Sequence, residues 1–84
     1  MTYYTVVWVQ SAEDELVEIW MDGPDKNEIS TATNAIDLIL HSNAESKGSE
    51  LSEGLRTLHC SPLRVIFSVR PADRIVEVVL VRRI

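Results

Sequence analysis

Cysteine is nearly absent from this sequence, which contains only Cys60. No disulfide can therefore form within the chain, and a reducing compartment is the expected environment. The two histidines, His41 and His59, are far apart in the sequence, so no ligand spacing typical of a metal site is present. We expect no metal and no cofactor.

Long apolar segments are also absent. The longest, residues 75–81, is interrupted by Glu77 and is far too short to span a bilayer. The first residues, Met1 to Tyr4, include no basic residue of the kind that begins a secretory signal peptide. These features predict a cytoplasmic protein with no membrane partner.

The size and composition are those of a small folded protein. The chain has 84 residues, of which 45% are hydrophobic and 25% are charged, so intrinsic disorder is not expected. A chain of this length has too little apolar surface for two separate cores. Residues 1–84 are therefore expected to form a single domain with a small margin of stability.

Basic residues are scarce in the first 53 residues, where Lys26 and Lys47 stand against eleven acidic residues. The remaining residues contain all six arginines and only Asp73 and Glu77 as acids. The net charge of −5 argues against nucleic acid as a partner, because phosphate binding requires lysine and arginine. The asymmetry between the two parts nevertheless predicts one cationic face on an acidic molecule.

Alternating and helical periodicities predict six regular elements. They are strands at residues 3–9, 55–60, 63–70 and 74–83, and helices at about 12–22 and 25–41. The first strand is apolar on both sides and is expected to be well covered. Ser11 precedes acidic residues in the first helical turn, as an N-cap residue does. Residues 43–53 lack periodicity and are interpreted as the longest loop.

Short connections determine how these elements assemble. Ser61-Pro62 and residues 71–73 are turn sequences, and such short links join only antiparallel neighbours. The last three strands therefore form an antiparallel meander, which completes one sheet with the N-terminal strand, and a helical hairpin covers one face. The predicted fold is a two-layer α+β domain whose second sheet face is partly open to solvent.

Side-chain alternation assigns residues to the two faces of the sheet. In the strand at 63–70, an apolar set is expected to face the helices: Leu63, Val65, Phe67 and Val69. The alternate set is expected on the open side: Arg64, Ile66, Ser68 and Arg70. In the last strand, the set without Glu77 is expected in the core: Val76, Val78 and Leu80. That register aligns Arg82 with the core set, Arg83 with Glu77, and Val79 and Val81 with the open side.

Several segments in this order resemble one toxin family. They are an aromatic-x-apolar-x-aromatic strand at 4–8, Ala-x-x-x-Leu at 12–16, Ala-Ile-Asp at 35–37, Gly-Leu-Arg at 54–56, Pro-Leu-Arg-Val-Ile-Phe-Ser-Val at 62–69, and Asp-Arg-Ile-Val-Glu-Val-Val-Leu-Val-Arg-Arg at 73–83. The whole resembles the RelE/ParE superfamily, the toxins of type II toxin–antitoxin modules. The most specific part is residues 54–83.

The resemblance implies either cleavage of mRNA on the ribosome, as in RelE-like members, or inhibition of DNA gyrase without cleavage, as in ParE-like members. For cleavage, Arg64 matches the family's arginine at the start of the third strand and would stabilise the phosphate. Arg82 or Arg83 would assist it. His59 is the candidate proton carrier, because histidine is suited to proton transfer near neutral pH.

The resemblance also implies binding partners. The family's toxins are silenced by a cognate antitoxin that covers the sheet, and the candidate binding residues on it are Arg56, Ile66 and Arg70. An apolar patch rimmed by charge fits such a partner or a homodimer contact, and the sequence leaves both open.

Some residues depart from the ribonuclease pattern. Many ribonuclease members carry a tyrosine or histidine beyond the last strand, where this sequence ends at Ile84. Leu55, Arg56 and Thr57 stand where a lysine pair is common, and the acidic net charge opposes approach to RNA. A gyrase inhibitor, or an inactive module that only binds an antitoxin, therefore remains the alternative to an mRNA endoribonuclease.

Overall fold

The computed structural model describes residues 2–52 and 54–84. Along the chain the elements are β1 (Thr5–Trp8), α1 (Gln10–Asp22), α2 (Lys26–His41), a 3-10 turn (Ala44–Ser46), β2 (Ser49–Ser52), β3 (Leu55–Cys60), β4 (Leu63–Arg70) and β5 (Ile75–Arg83). The strands form one sheet in the order β1-β5-β4-β3-β2, in which only the β1–β5 pair is parallel. This confirms the predicted α+β fold with its helical hairpin and antiparallel meander.

Helix α1 begins at Gln10, two residues before the predicted start at about residue 12. Ser11 therefore lies inside the helix and is not its N-cap. Val9 holds that position, and no side chain caps the helix. Instead, the Val9 amide donates to the Val78 carbonyl at 3.0 Å and the Val9 carbonyl accepts from Glu13. The sheet, rather than a capping side chain, therefore fixes where α1 begins.

Helix α2 buries the predicted apolar stripe. Its buried residues are Ile29, Ala32, Ile36 and Leu40, which recur at the spacing of one helical face. Together with Ala12 of α1 they meet the apolar side of the sheet. In the part of the chain that the structure describes, neither helix is long and apolar enough to cross a membrane.

The core lies between the helices and one face of the sheet. Its strand residues are Leu63, Val65 and Phe67 of β4 and Val76, Val78 and Val81 of β5. The predicted facing of β4 is confirmed, because Val69 also packs against this core and the alternate β4 residues do not. The core therefore occupies one side of the sheet, and the other side remains for a functional surface.

A bulge in β5 changes the predicted register of that strand. Ile66 pairs with Leu80 but Phe67 pairs with Val78, so Val79 is an extra residue in the ladder. A bulge reverses the alternation beyond it. The expectation for Leu80 and Val81 was therefore wrong: Val81 is buried in the core, and Leu80 shares a face with Ile66.

The predicted loop at 43–53 contains a fifth strand. β2 pairs with β3 in antiparallel fashion, with Ser49 opposite Thr57 and Glu50 opposite Arg56. Its four residues are all exposed, so no apolar alternation marked it in the sequence. Residue 53, the last of the predicted loop, lies outside the described residues.

Strand β1 lies at the edge of the sheet, and one of its two sides is uncovered. The expectation that both sides are covered was therefore wrong. Val6 and Trp8 pack against the core, and the Trp8 indole Nε1 donates to Asp37 Oδ1 at 2.8 Å. Val7 points to the other side and is 41% exposed. The side of β1 that carries Val7 is therefore continuous with the uncovered side of the sheet.

A buried tyrosine links the segment before β1 to the turn after α2. The Tyr4 hydroxyl donates to Glu45 Oε2 at 2.5 Å, and the Tyr4 amide donates to the His41 carbonyl at 2.7 Å. The hydrogen bond between the side chains lowers the pKa of Glu45 and raises the pKa of Tyr4. Folding therefore favours ionised Glu45 and neutral Tyr4.

Tyr4→Phe is expected to lower stability near pH 7 while keeping the ring buried. Because the folded-state pKa of Glu45 is depressed, the bond's contribution is present above the unfolded pKa and is lost as the pH falls below about 4. Because the pKa of Tyr4 is raised, the contribution is also lost above about pH 10. The gap between the urea midpoints of the two proteins should therefore narrow toward both ends of the range from pH 3 to 11, and a gap that is constant across this range would contradict the assignment.

Candidate anion-binding site

The face of the sheet opposite the helices is called the open face. Its residues follow from the strand pairing: Thr5 and Val7 of β1, Ile75, Glu77, Leu80 and Arg82 of β5, Arg64, Ile66, Ser68 and Arg70 of β4, and Thr57 and His59 of β3. These side chains are exposed or half-buried, and none belongs to the fully buried core. The arginines of this face are the candidate functional groups.

Three basic residues form one row across the open face. His59 of β3 pairs with Arg64 of β4, and Arg64 pairs with Arg82 of β5. Residues that are directly opposite on antiparallel strands have Cβ atoms about 5 Å apart. We call His59, Arg64 and Arg82 the arginine row. It brings together three of the four residues predicted to be catalytic.

Arg64 is held by the neighbouring strand. Its Nε donates to Thr57 Oγ1 at 3.2 Å, and the Thr57 hydroxyl donates to the Val65 carbonyl at 3.2 Å. Among the described residues, no carboxylate lies within ion-pair distance of Arg64. Its terminal nitrogens therefore remain available to bind an anion from solvent.

Arg82 already binds a carboxylate. Its Nη1 forms an ion pair with Glu15 of α1 and also donates to the Val81 carbonyl at 2.8 Å. The β5 bulge places Arg82 on the open face, whereas the sequence had aligned it with the core set. α1 packs beside β5, which brings Glu15 within reach of this face.

Below the arginine row, the open face becomes apolar. Ile66 pairs with Thr57 on one side and Leu80 on the other, and all three are half-buried. At the far end Arg70 forms an ion pair with Glu77 at 2.7 Å. Arg70 is six positions beyond Arg64 in β4, about 20 Å along the strand, so Arg70 lies apart from the arginine row.

Arg56 does not lie on the open face. It pairs with Phe67, a core residue, and is therefore on the helix side of the sheet. Its Nε donates to the Lys47 carbonyl at 2.8 Å and its Nη2 to the Gly48 carbonyl at 3.3 Å. Arg56 thus supports the backbone that leads into β2, and it lies on the opposite side of the sheet from Ile66 and Arg70, the other two predicted binding residues.

Arg83 also lies on the helix side, where it pairs with Leu63 across the sheet. Its guanidinium makes two hydrogen bonds to Asp25, at 2.7 and 2.8 Å, and Asp25 is the N-cap residue of α2. These bonds lower the pKa of Asp25 and raise the pKa of Arg83. The structure therefore places Arg83 on the helix side of the sheet, away from His59 and Arg64, whereas the predicted register had placed it with Glu77 on the open side.

The row supplies two kinds of chemistry. Arg64 and Arg82 are partners on adjacent strands, and each supplies a guanidinium group, which binds phosphate with bidentate geometry. His59 adds an imidazole, whose ring nitrogens donate and accept hydrogen bonds. In residues 2–52 and 54–84, no three metal-ligating side chains cluster.

Sequence reasoning missed two residues of this site. Thr57 could have been found, because side-chain alternation places it on the same face as His59, where its hydroxyl can accept a hydrogen bond from Arg64. Glu15 could not, because 67 residues separate it from Arg82 and nothing in the sequence indicates that α1 lies beside β5.

No protein-family model and no curated protein matches this sequence. A chain of the toxin–antitoxin complex RelBE2 from Mycobacterium tuberculosis superposes with a TM-score of 0.81 and 16% identity, over 100% of this chain and 94% of that one. A chain of the chromosomal ParDE toxin–antitoxin system from P. aeruginosa superposes with a TM-score of 0.67 and 17% identity, over 98% of this chain and 97% of that one. The protein therefore shares the fold of these two chains.

Proposed function

We propose that the protein is the toxin of a type II toxin–antitoxin module and acts in the cytoplasm as a ribosome-dependent mRNA endoribonuclease. The arginine row carries this proposal. It places a proton-exchanging side chain and two phosphate-binding side chains next to one another on a solvent-accessible sheet face. That combination is what cleavage of a phosphodiester by its own 2′-hydroxyl requires.

In the proposed reaction, the 2′-oxygen of the RNA attacks the adjacent phosphorus while the bond to the 5′-oxygen breaks. His59 takes the proton of the 2′-hydroxyl, and water supplies the proton to the departing 5′-oxygen. The guanidinium of Arg64, aided by that of Arg82, stabilises the negative charge that develops on the phosphate oxygens. The products are a cyclic 2′,3′-phosphate and a free 5′-hydroxyl.

The cognate antitoxin is the proposed protein partner. The open face joins an apolar centre, Ile66 and Leu80, to arginines at both ends, and Arg70 lies at the end away from the arginine row. Such a patch fits a segment with apolar and acidic side chains. Both structural neighbours are described as toxin–antitoxin assemblies, which supports this partner.

A non-enzymatic function is the second candidate, either gyrase inhibition or antitoxin binding alone. Two observations favour it. Arg82 is bound to Glu15, so Arg64 is the one arginine of the row with no carboxylate partner among the described residues. The fold is also similar to a chain of a ParDE system.

Arg64→Ala is expected to reduce cleavage of ribosome-bound mRNA by about a hundredfold, the typical effect of removing a donor that stabilises the reacting oxyanion. Induced wild type should stop growth and cut mRNA, and the variant should do neither at the same protein level. Primer extension on ribosome-associated transcripts measures the cleavage.

The matched control is Arg74→Asn. It also removes one positive charge, at the turn before β5 rather than in the arginine row, and asparagine tolerates the positive φ of 55° found there. The control should cut mRNA like the wild type. Growth arrest with intact mRNA and gyrase-dependent DNA breaks would replace the proposal by gyrase inhibition, and no toxicity would replace it by an antitoxin-binding module.

A further inference from the structure

The arginine row contains two like charges directly opposite one another. Arg64 and Arg82 are partners in the β4–β5 ladder, and like charges at such positions repel. Their surroundings differ, because Arg64 meets only the neutral Thr57 hydroxyl, whereas Arg82 meets the Glu15 carboxylate. The pair as it stands is therefore only half neutralised.

The Glu15 carboxylate contacts the Arg82 guanidinium at the place where a phosphate oxygen of the RNA would bind. Its carboxylate contacts Nη1 of Arg82 from α1, which lies beside β5 rather than on the open face. The Arg82 side chain is 52% exposed and that of Glu15 is 30% exposed. An anion from solvent can therefore reach Arg82, and the ion pair can open without disturbing the core.

We propose that Glu15 is an internal competitor for the RNA phosphate at Arg82. This inference rests on the proposed RNA-binding function of the arginine row. In the free protein the Glu15 carboxylate binds the Arg82 guanidinium, and an RNA phosphodiester displaces it when it binds. Glu15 thereby weakens RNA binding and limits the activity of the toxin.

The exchange favours phosphate for a geometric reason. Glu15 contacts Arg82 but not Arg64, whereas an RNA phosphate has two non-bridging oxygens, one for each of these arginines, which are partners on adjacent strands. An exposed ion pair of this kind is weak enough to be exchanged. RNA binding therefore replaces the single contact between Glu15 and Arg82 with contacts to both Arg82 and Arg64. Breaking the Glu15–Arg82 ion pair reduces the affinity for RNA.

The test compares two carboxylates of the same helix. Glu15→Gln removes the competitor, and Glu13→Gln removes the same charge from an exposed residue that forms no ion pair within the described residues. Fluorescence anisotropy with a labelled 12-nucleotide single-stranded RNA should show about two- to fivefold tighter binding for Glu15→Gln, the range expected for an exposed ion pair. Glu13→Gln should bind like the wild type.

A double-mutant cycle shows whether Glu15 acts through Arg82. In an Arg82→Ala background, Glu15→Gln should no longer change RNA affinity. A gain that persists without Arg82, or an equal gain in Glu13→Gln, would reduce the effect to general charge repulsion and overturn the inference. Unchanged affinity of Glu15→Gln in the wild-type background would overturn it as well.

A second probe separates this inference from the proposed function. Inorganic pyrophosphate, titrated while the arginine side-chain ¹⁵N resonances are recorded, tests the anion site without RNA. If Glu15→Gln tightens pyrophosphate binding at Arg82 but Arg64→Ala has no effect on mRNA cleavage, the competitor stands and the endoribonuclease proposal fails. If cleavage depends on Arg64 and pyrophosphate binding ignores Glu15, the reverse holds.

Discussion

Replacing Phe67 by alanine is expected to destabilise the protein by about 3–5 kcal/mol, as for other buried aromatic residues cut to alanine. Phe67 lies in the middle of β4, the central strand of the sheet, and is 0% exposed. An 84-residue protein has a total stability of only about 4–13 kcal/mol. The variant should therefore lose a large share of its stability, which circular dichroism during urea and thermal unfolding would measure.

Ile66→Ala is the matched control for this prediction. Ile66 precedes Phe67 in β4 but lies on the open face and is half-buried. Its loss should cost about 1 kcal/mol, because less apolar surface returns to water and no closed cavity forms. Equal destabilisation by the two substitutions would mean that the two faces of β4 are buried alike, contrary to the structure.

Gly48→Ala is expected to cost about 2–3 kcal/mol and to detach β2 from β3. Gly48 has a φ of +64°, which strains any residue with a Cβ. An added Cβ would also lie 2.1 Å from the Thr57 backbone carbonyl oxygen, so the backbone must shift. Hydrogen exchange of the β3 amides that face β2, together with urea unfolding, reports both effects.

Gly54→Ala separates backbone strain from the steric clash. Gly54 also has a positive φ, of +79°, but an added Cβ would meet nothing within 4 Å. It should cost only the strain, about 1 kcal/mol, and leave hydrogen exchange in β3 unchanged. If Gly54→Ala were as harmful as Gly48→Ala, the close approach at Thr57 would not be the cause.

The sequence predicted the elements that have strong periodicity. The apolar stripe from Ile29 to Leu40 and the alternation of β4 each gave the correct facing, because one side of each element is buried. The start of α1 was wrong since backbone bonds between Val9 and the sheet determine it. β2 was missed because its exposed residues form backbone pairs without burying side chains.

The candidate site was predicted in part. Alternation placed Arg64 on the open face and the short turn at Ser61-Pro62 placed His59 on the adjacent strand, whereas the pairing of the two residues is given by the structure. Arg82 and Arg83 exchanged sides because of one extra residue at Val79, and no local pattern marks a bulge within a run of valines. The position of Arg56 on the helix side was not foreseen, because a charged residue is not expected on the apolar side of a sheet. There its guanidinium donates to backbone carbonyls.

The parallel pairing of β1 with β5 has a consequence for how the protein folds. Thr5 is aligned with Ile75, and Trp8 with Val78, so this contact joins regions about 70 residues apart. Closing so large a loop is entropically costly, and contacts of such separation slow folding. We therefore expect the β3–β4–β5 meander, whose contacts are local, to form first and β1 to dock afterwards. A newly synthesised molecule would thus form the arginine row before β1 pairs with β5.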